Sequence, residues 1–328
     1  MSSAWRKLGA SIVDIQLPVS ATGRTILHTI TAIEAQRSEP GPRALELIGQ
    51  HFNRYPKDDP RYSATLEEQL EAARSVTLDQ VKAFHKAFYG ASKGELAIVG
   101  EFDPATAKAA VAEAFADWKS GQPYARVDLA YADVPAINRW IDTPDKENAV
   151  FAARINLPIK DDDPDFPALF LANYMLGGGA GLNSRLAERI RQKDGLSYGI
   201  SSNLAVKPFD RAGAWQVMGI AAPQNVAKVE AAFKDELAKA LKDGFAPDEI
   251  ERARSGALQL RTQQRAQDES LAAGWASLLF TERTMAFSKN FDARLKSATK
   301  ADIDAALRKY IVPEKITIVK AGDPAKAR

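Results

Sequence analysis

The residues best placed to do chemistry lie in one stretch, Leu176 to Tyr198, LGGGAGLNSRLAERIRQKDGLSY. Four of the chain's 20 glycines fall within positions 177 to 181, and a short basic amphipathic helix follows. Asn183 or Ser184 can cap that helix, and Gly195 can end it in the left-handed conformation. Leu182, Leu186 and Ile190 mark its apolar face; Arg185, Arg189, Arg191 and Lys193 are polar neighbours. Arg191 and Tyr198 are seven positions apart, and the break at Gly195 puts Tyr198 at the start of the next extended segment. A guanidinium and a phenol converging near the helix end could hold a peptide carbonyl and donate to an oxyanion. The plainer alternative is a solvated arginine and an interfacial tyrosine.

Other chemistries find little support. The three histidines, His28, His51 and His85, stand far apart, and neither His-x-x-Glu-His nor His-Glu-x-x-His occurs. Each reads as a surface or helix-packing residue, and no zinc site can be assembled from them. Cysteine is absent, which removes disulfides, thiolate metal sites and cysteine nucleophiles. No Gly-x-Ser-x-Gly elbow is present. GGGAG lacks the Gly-Lys-Ser/Thr of a phosphate loop and follows an apolar helix rather than a strand, so the dinucleotide fingerprint fails as well. What remains for the glycines is an interhelical turn in which they supply positive φ.

These residues need elements to position them. The chain has 328 residues, 45% hydrophobic and 26% charged, enough for two domains of ordinary globular composition. A formal net charge of +2 argues against nucleic acid as the main partner. No apolar run approaches the roughly 18 residues that span a bilayer. The opening MSSAWRKLGASIVDIQLPV lacks the apolar core and cleavage site of a signal peptide.

Ala10 to Leu17 alternates as a strand, and helices are expected over Arg24–Arg37, Arg43–Arg54 and Ala64–Arg74. Thr77 caps a further helix, Glu95 to Val99 reads as a strand, and Pro104 opens the helix PATAKAAVAEAFADW. A polar stretch from Lys119 to about Pro135 is the linker candidate. Beyond it, NRWID and AVFAARINL read as a hairpin, and the nearly apolar PDFPALFLANYM reads as a buried helix. Strands near Gly199–Val206 and Gly213–Ala221, helices over Asn225–Lys242 and Pro247–Gln267, further helices ending in TKADIDAALRKYI, and the strand KITIVKA complete the order.

The order repeats. SVTLDQVKAFHKAFYGASKGELAIVGEFDPA parallels SATKADIDAALRKYIVPEKITIVKAGDPA, with Thr77 matching Thr299, Ile98 matching Ile318 and Pro104 matching Pro324. SIVDIQLPV followed by a helix parallels AWQVMGIAAP followed by a helix. The expected organisation is the back half of a first α+β unit over 1–120, a linker over 121–136 and a complete second unit over 137–328, with the chain a fragment or split subunit.

With the motif, the buried helix and the repeat in view, the sequence resembles the C-terminal half of pitrilysin/insulinase-type zinc metallopeptidases across nearly its whole length. The carriers are the glycine-rich turn, the Ser-Arg-Leu helix and the Arg-x6-Tyr spacing. The resemblance implies tandem α+β units of mainly antiparallel sheet flanked by helices. It implies that Arg191 binds a substrate backbone carbonyl, that Tyr198 supports the tetrahedral intermediate, and that Gly177, Gly178 and Gly179 form the turn near the peptide path. It also implies that zinc sits in a partner half bearing His-x-x-Glu-His, in cis or as a separate subunit, so that this chain alone does not hydrolyse peptides. Family habit suggests a bacterial periplasmic or cell-envelope location. The competing expectation is a non-catalytic structural or assembly homologue, since this fold also serves in respiratory complexes. A free-standing small-molecule enzyme ranks last, lacking nucleophile, base and cofactor motif.

Overall fold

The computed structural model describes residues 19–179 and 184–327. The expected strand Ala10–Leu17 and the residues Leu182 and Asn183 lie outside them. The described residues divide into two compact units. One comprises 19–34, 67–127 and 264–285; the other comprises 35–66, 128–263 and 286–327.

The chain opens with helices α1 (Val19–Gln36), α2 (Pro40–Phe52), α3 (Leu66–Ser75), α4 (Leu78–Phe88) and α5 (Pro104–Phe115). Then come strands β1 (Asn138–Asp142) and β2 (Ala149–Leu157) and helix α6 (Phe166–Asn173). Strands β3 (Gly199–Ala205) and β4 (Gly213–Ala221) lead into helices α7 (Val226–Asp243), α8 (Pro247–Arg265) and α9 (Asp268–Phe280). Helices α10 (Met285–Ser297) and α11 (Lys300–Tyr310) and strand β5 (Thr317–Gly322) close the order. This is an α+β fold.

The two stretches that run parallel in sequence begin on the same device. Gln80 N–H donates to Thr77 Oγ1 at 3.2 Å while Thr77 N–H donates to the Gln80 side chain at 2.8 Å. Asp302 N–H and Thr299 N–H make the same reciprocal pair at 3.2 and 2.9 Å. Each capping box satisfies two amides that the first helical turn leaves without intrahelical partners. The two stretches then diverge. Thr317–Gly322 is a paired strand, whereas Glu95–Val99, expected as a strand, has no ladder among the described residues. A strand exists only by pairing, and none of the described residues pairs with it there.

The sheet of the second unit has the order β1-β5-β2-β4-β3. The expected β1–β2 hairpin is therefore incorrect, because β5 lies between the two. It pairs parallel with β1, Asn138 opposite Ile318, and antiparallel with β2, Ala153 opposite Ile318. Skipping one strand means crossing about 10 Å, within reach of the 143–148 connection. The end of β5 holds that connection: Thr143 N–H donates to Gly322 O at 2.8 Å and Asp145 N–H to the Asp323 carboxylate at 3.0 Å. The pairs β2–β4 and β3–β4 are antiparallel, which leaves β3 at an edge.

Both faces of the sheet are covered. Phe151, Ala153, Ile155 and Leu157 of β2 join Trp215 and Val217 of β4 in the main core, with apolar residues of α6, α7, α8 and α11. Val150 and Ala152, on the opposite face, pack with Val319, Ala321 and the α2 residues Ala44, Ile48 and Phe52. That second layer explains why β2 is buried almost throughout rather than alternately. It also explains why residues 35–66 belong to the second unit despite preceding it in sequence. Helix α6 meets expectation: Pro167, Ala168, Leu169, Leu171 and Ala172 are buried. Each large aliphatic side chain among them contributes about 1.5–3 kcal/mol.

Candidate functional site

The site is assembled around α6 and the edge strand β3. Helix α6 widens at its end into a π turn, Tyr174–Gly178, which carries the first two glycines. Asn173, the one polar residue between Phe166 and Asn173, faces inward at this point. Its side-chain oxygen accepts from Ser202 Oγ at 2.7 Å and from Trp215 Nε1 at 2.9 Å. These two bonds tie the helix end to β3 and β4 and satisfy the indole of a tryptophan that is only 1% exposed.

The glycines are required here for space. None of Gly177, Gly178 and Gly179 has a left-handed φ, so the expectation that they supply positive φ is corrected. A Cβ on Gly177 would lie 2.7 Å from Ser202 Oγ and 2.9 Å from the Ser202 backbone nitrogen. One on Gly178 would lie 2.2 Å from Asn173 Nδ2, and one on Gly179 would lie 2.9 Å from Tyr174 O. The turn thus packs against β3 and against its own preceding residues as closely as backbone allows.

The basic helix is π-helical over Ala187–Lys193. Ser184 Oγ accepts from Ala187 N–H at 3.4 Å, in line with the expected cap, and Leu186 and Ile190 are fully buried. Gly195 stops the helix as expected: its φ is +62°, with Asp194 N–H bonded to Arg189 O at 3.0 Å and Leu196 N–H to Ile190 O at 2.8 Å.

The four cations of this helix divide into two kinds. Arg185 makes two bonds to the Glu249 carboxylate at 2.8 and 2.7 Å, donates to Gly244 O at 2.9 Å, and lies 4.6 Å over the Phe245 ring. Burial works against its charge, but Glu249 outweighs burial and holds the guanidinium above its ordinary pKa. Arg189 bonds Asp194 at 2.7 Å and Asp235 at 3.2 Å, and the Asp194 hydrogen bond raises its pKa. Arg191 and Lys193, by contrast, are exposed and have no ion-pair partner among the described residues.

Beyond Gly195 the chain is pinned to the sheet. Ser197 is buried; its hydroxyl lies 2.7 Å from Ile220 O and accepts from Gly199 N–H at 3.1 Å. Tyr198 N–H donates to Ile220 O at 2.9 Å, which fixes its backbone, yet its side chain is 69% exposed. Tyr198 borders an open recess with Glu147, Asn148, Ile220 and Lys326. A separate cleft of about 790 Å³ is lined by Gly179, Glu188, Gln192, Lys193 and Arg252 among others. Arg191 lines neither of these two; it stands at the helix end and Tyr198 at the strand start.

Sequence reasoning missed Asn173, Ser197, Ser202 and Trp215. The one available signal was an asparagine in an otherwise apolar helix.

No group of three or more histidine, aspartate or glutamate side chains placed to hold a metal occurs among the described residues. His28 is exposed on α1, His51 on α2 hydrogen-bonds Pro135 O at 2.9 Å, and His85 on α4 stacks on Tyr89 with ring centroids 5.0 Å apart. These residues do not fit a zinc centre. No helix among the described residues is long and apolar enough to cross a membrane.

A family profile described as the peptidase M16 inactive domain matches residues 75–257, more than half of the chain. None of the curated proteins compared with the chain matches it. Among solved structures, a peptidase M16 inactive domain from Pseudomonas fluorescens is similar over 98% of this chain and 75% of its own. Its TM-score is 0.82 and its sequence identity 22%. A chain of Complex III from Candida albicans is similar over 97% of this chain and 76% of its own, with TM-score 0.70 and 13% identity. The periplasmic protease PqqL from Escherichia coli is similar over 94% of this chain and 33% of its own, with TM-score 0.58 and 16% identity. The chain belongs to the peptidase M16 inactive-domain family, the non-metal half of the pitrilysin-type fold.

Proposed function

We propose that this chain is the peptide-binding half of a two-halved zinc peptidase and completes its site with Arg191 and Tyr198. The supporting observation is the division among the helix cations. Arg185 and Arg189 are committed to ion pairs that hold the helix, while Arg191 is left exposed and unpaired among the described residues. Tyr198 repeats the pattern, with a fixed backbone and a free phenol. In this reading Arg191 hydrogen-bonds a backbone carbonyl of an extended peptide, and the Tyr198 hydroxyl donates to the oxygen that gains charge as the scissile carbonyl becomes tetrahedral. The hydrolytic metal belongs to a partner half, in cis or in trans. A cell-envelope location is part of the same reading; the likeness to a periplasmic protease supports it, and recovery from the cytosolic fraction of its source cell would count against it.

The test is to add a metal-bearing family half and follow cleavage of an unfolded peptide. Activity is expected only in the mixture, abolished by chelation, and reduced about 100-fold by Arg191→Ala or Tyr198→Phe. Cleavage unchanged by both substitutions would overturn the assignment. It would favour the second reading, a structural or assembly homologue, which the likeness to a Complex III chain supports.

A further inference from the structure

Ser197 is buried, 9% exposed, and stands directly before Tyr198, whose side chain is 69% exposed. A serine hydroxyl has one proton to give and two lone pairs. Here the oxygen accepts from Gly199 N–H at 3.1 Å, and the proton goes to Ile220 O at 2.7 Å, the nearer of two carbonyls within reach; Gly199 O is at 2.9 Å. A serine that bonds the amide two residues on makes a local turn of its own. Ile220 O also accepts from Tyr198 N–H at 2.9 Å. One carbonyl and one hydroxyl therefore close around Tyr198 from both sides. The carbonyl is a firm anchor, because Ile220 lies in β4, paired with Val150 of β2 on one side and with Gly199 of β3 on the other.

The consequence is for the direction of the phenol. Two planar peptide groups meet at the Tyr198 Cα, and fixing both planes fixes the Cα–Cβ bond. Tyr198 N–H holds the first plane to β4, and Ser197 Oγ holds the second through Gly199 N–H. Glycine at 199 adds little restraint of its own: it has no Cβ, and nothing beyond its chain neighbours lies within 4 Å of where one would be. Nor does the ring find support beyond the backbone, since the Tyr198 side chain has no hydrogen bond or ring contact among the described residues. Any rotation of the 198–199 plane is carried to the hydroxyl at the far end of the ring.

We propose that Ser197 is a positioning residue: it holds the 198–199 peptide so that the Tyr198 hydroxyl meets the oxygen that gains charge in the transition state. This role rests on the reading of Tyr198 given above and assigns the site a residue that acts only through the phenol. A misplacement of about 1 Å can cost about 100-fold in rate, so loss of the Ser197 hydroxyl is expected to lower kcat by about 10-fold or more. KM is expected to stay unchanged, because the interaction is made in the transition state alone.

Two measurements test it. In the full chain alone, hydrogen exchange at Gly199 N–H is expected to speed up by about 10-fold or more in Ser197→Ala and to return to the original rate in Ser197→Thr, which keeps the hydroxyl. Unchanged exchange at Gly199 in Ser197→Ala overturns the proposal whatever Tyr198 does. The second measurement follows cleavage of a fluorogenic unfolded peptide in the mixture with a metal-bearing family half. Ser197→Ala is expected to lose about 10-fold in kcat at unchanged KM, and Ser197→Thr to recover to within about 2-fold of wild type. The double variant Ser197→Ala/Tyr198→Phe is expected to lie within about 2-fold of Tyr198→Phe alone. A merely structural serine lowers activity by the same factor in both backgrounds; that result, a loss carried by KM, or a Ser197→Thr chain as slow as Ser197→Ala overturns the positioning role and leaves the role of Tyr198 standing. No cleavage from the mixture, or Tyr198→Phe as active as wild type, overturns the reading of Tyr198 and the positioning role with it.

Discussion

Replacing Gly177 by alanine probes the packing of the glycine-rich turn directly. The added Cβ would sit 2.7 Å from Ser202 Oγ and 2.9 Å from Ser202 N. The hydroxyl can rotate away, but only by giving up its bond to Asn173. The backbone nitrogen cannot move, because Ser202 is registered opposite Val217 in the middle of the β3–β4 ladder. Overpacking a tight site costs about 1–3 kcal/mol, and an immovable neighbour places this case at about 2–3 kcal/mol. For a unit of this size that is a Tm loss of roughly 4–12 °C. Urea unfolding followed by near-ultraviolet circular dichroism gives the free energy, with an unchanged slope showing that the unfolded state is unaltered. Gly199→Ala is the control, since nothing lies within 4 Å of its Cβ and its φ is not left-handed. Adding Ser202→Ala to Gly177→Ala relieves only the hydroxyl contact, so rescue is expected to be partial. A loss below about 0.5 kcal/mol for Gly177→Ala, or full rescue by Ser202→Ala, refutes the packing argument.

Arg185→Ala is expected to destabilise the chain by about 2–3 kcal/mol, a discount on the fully buried case because Arg185 and Glu249 are each about one-fifth exposed. Arg191→Ala is expected to stay within about 0.5 kcal/mol of wild type, so paired thermal melts separate the structural arginine from the free one. Thr299→Ala removes a capping box from a helix built into the core and should cost about 1 kcal/mol by chemical denaturation. The Asp59 carboxyl, held by the Arg61 side chain, has its pKa lowered to about 2. A carboxylate depressed by folding contributes stability that is present above its unfolded pKa and lost as pH falls toward about 2. A side-chain NMR titration should show this value, and Arg61→Ala should return it toward 3.8; an Asp59 that already titrates near 3.8 with Arg61 in place would refute the coupling.

Features that depend on neighbours in sequence were readable without coordinates. Thr77 and Thr299 announce their helices because a capping box closes within four residues. The uninterrupted apolar character of FPALFLAN marks a helix with no solvent face, and Gly195 marks a helix stop because a left-handed residue there favours glycine.

Partners distant along the chain were not readable. Nothing local in NRWID indicates that it pairs with residues about 180 positions later instead of with the next strand, because its pattern satisfies either neighbour equally. The glycines of the turn could be seen, but not the reason for them: the atom that excludes a Cβ at Gly177 belongs to Ser202 on another strand. Nor does the sequence sort Arg185 from Arg191, since the sorting is done by Glu249 and Gly244 on other segments. By itself the sequence determined the helices, their stops and the absence of a zinc motif, all fixed by short-range geometry and residue type. Tertiary structure alone decided the strand order, the steric role of the glycines and which cation stays free, because burial and pairing are properties of groups brought together only when the chain folds.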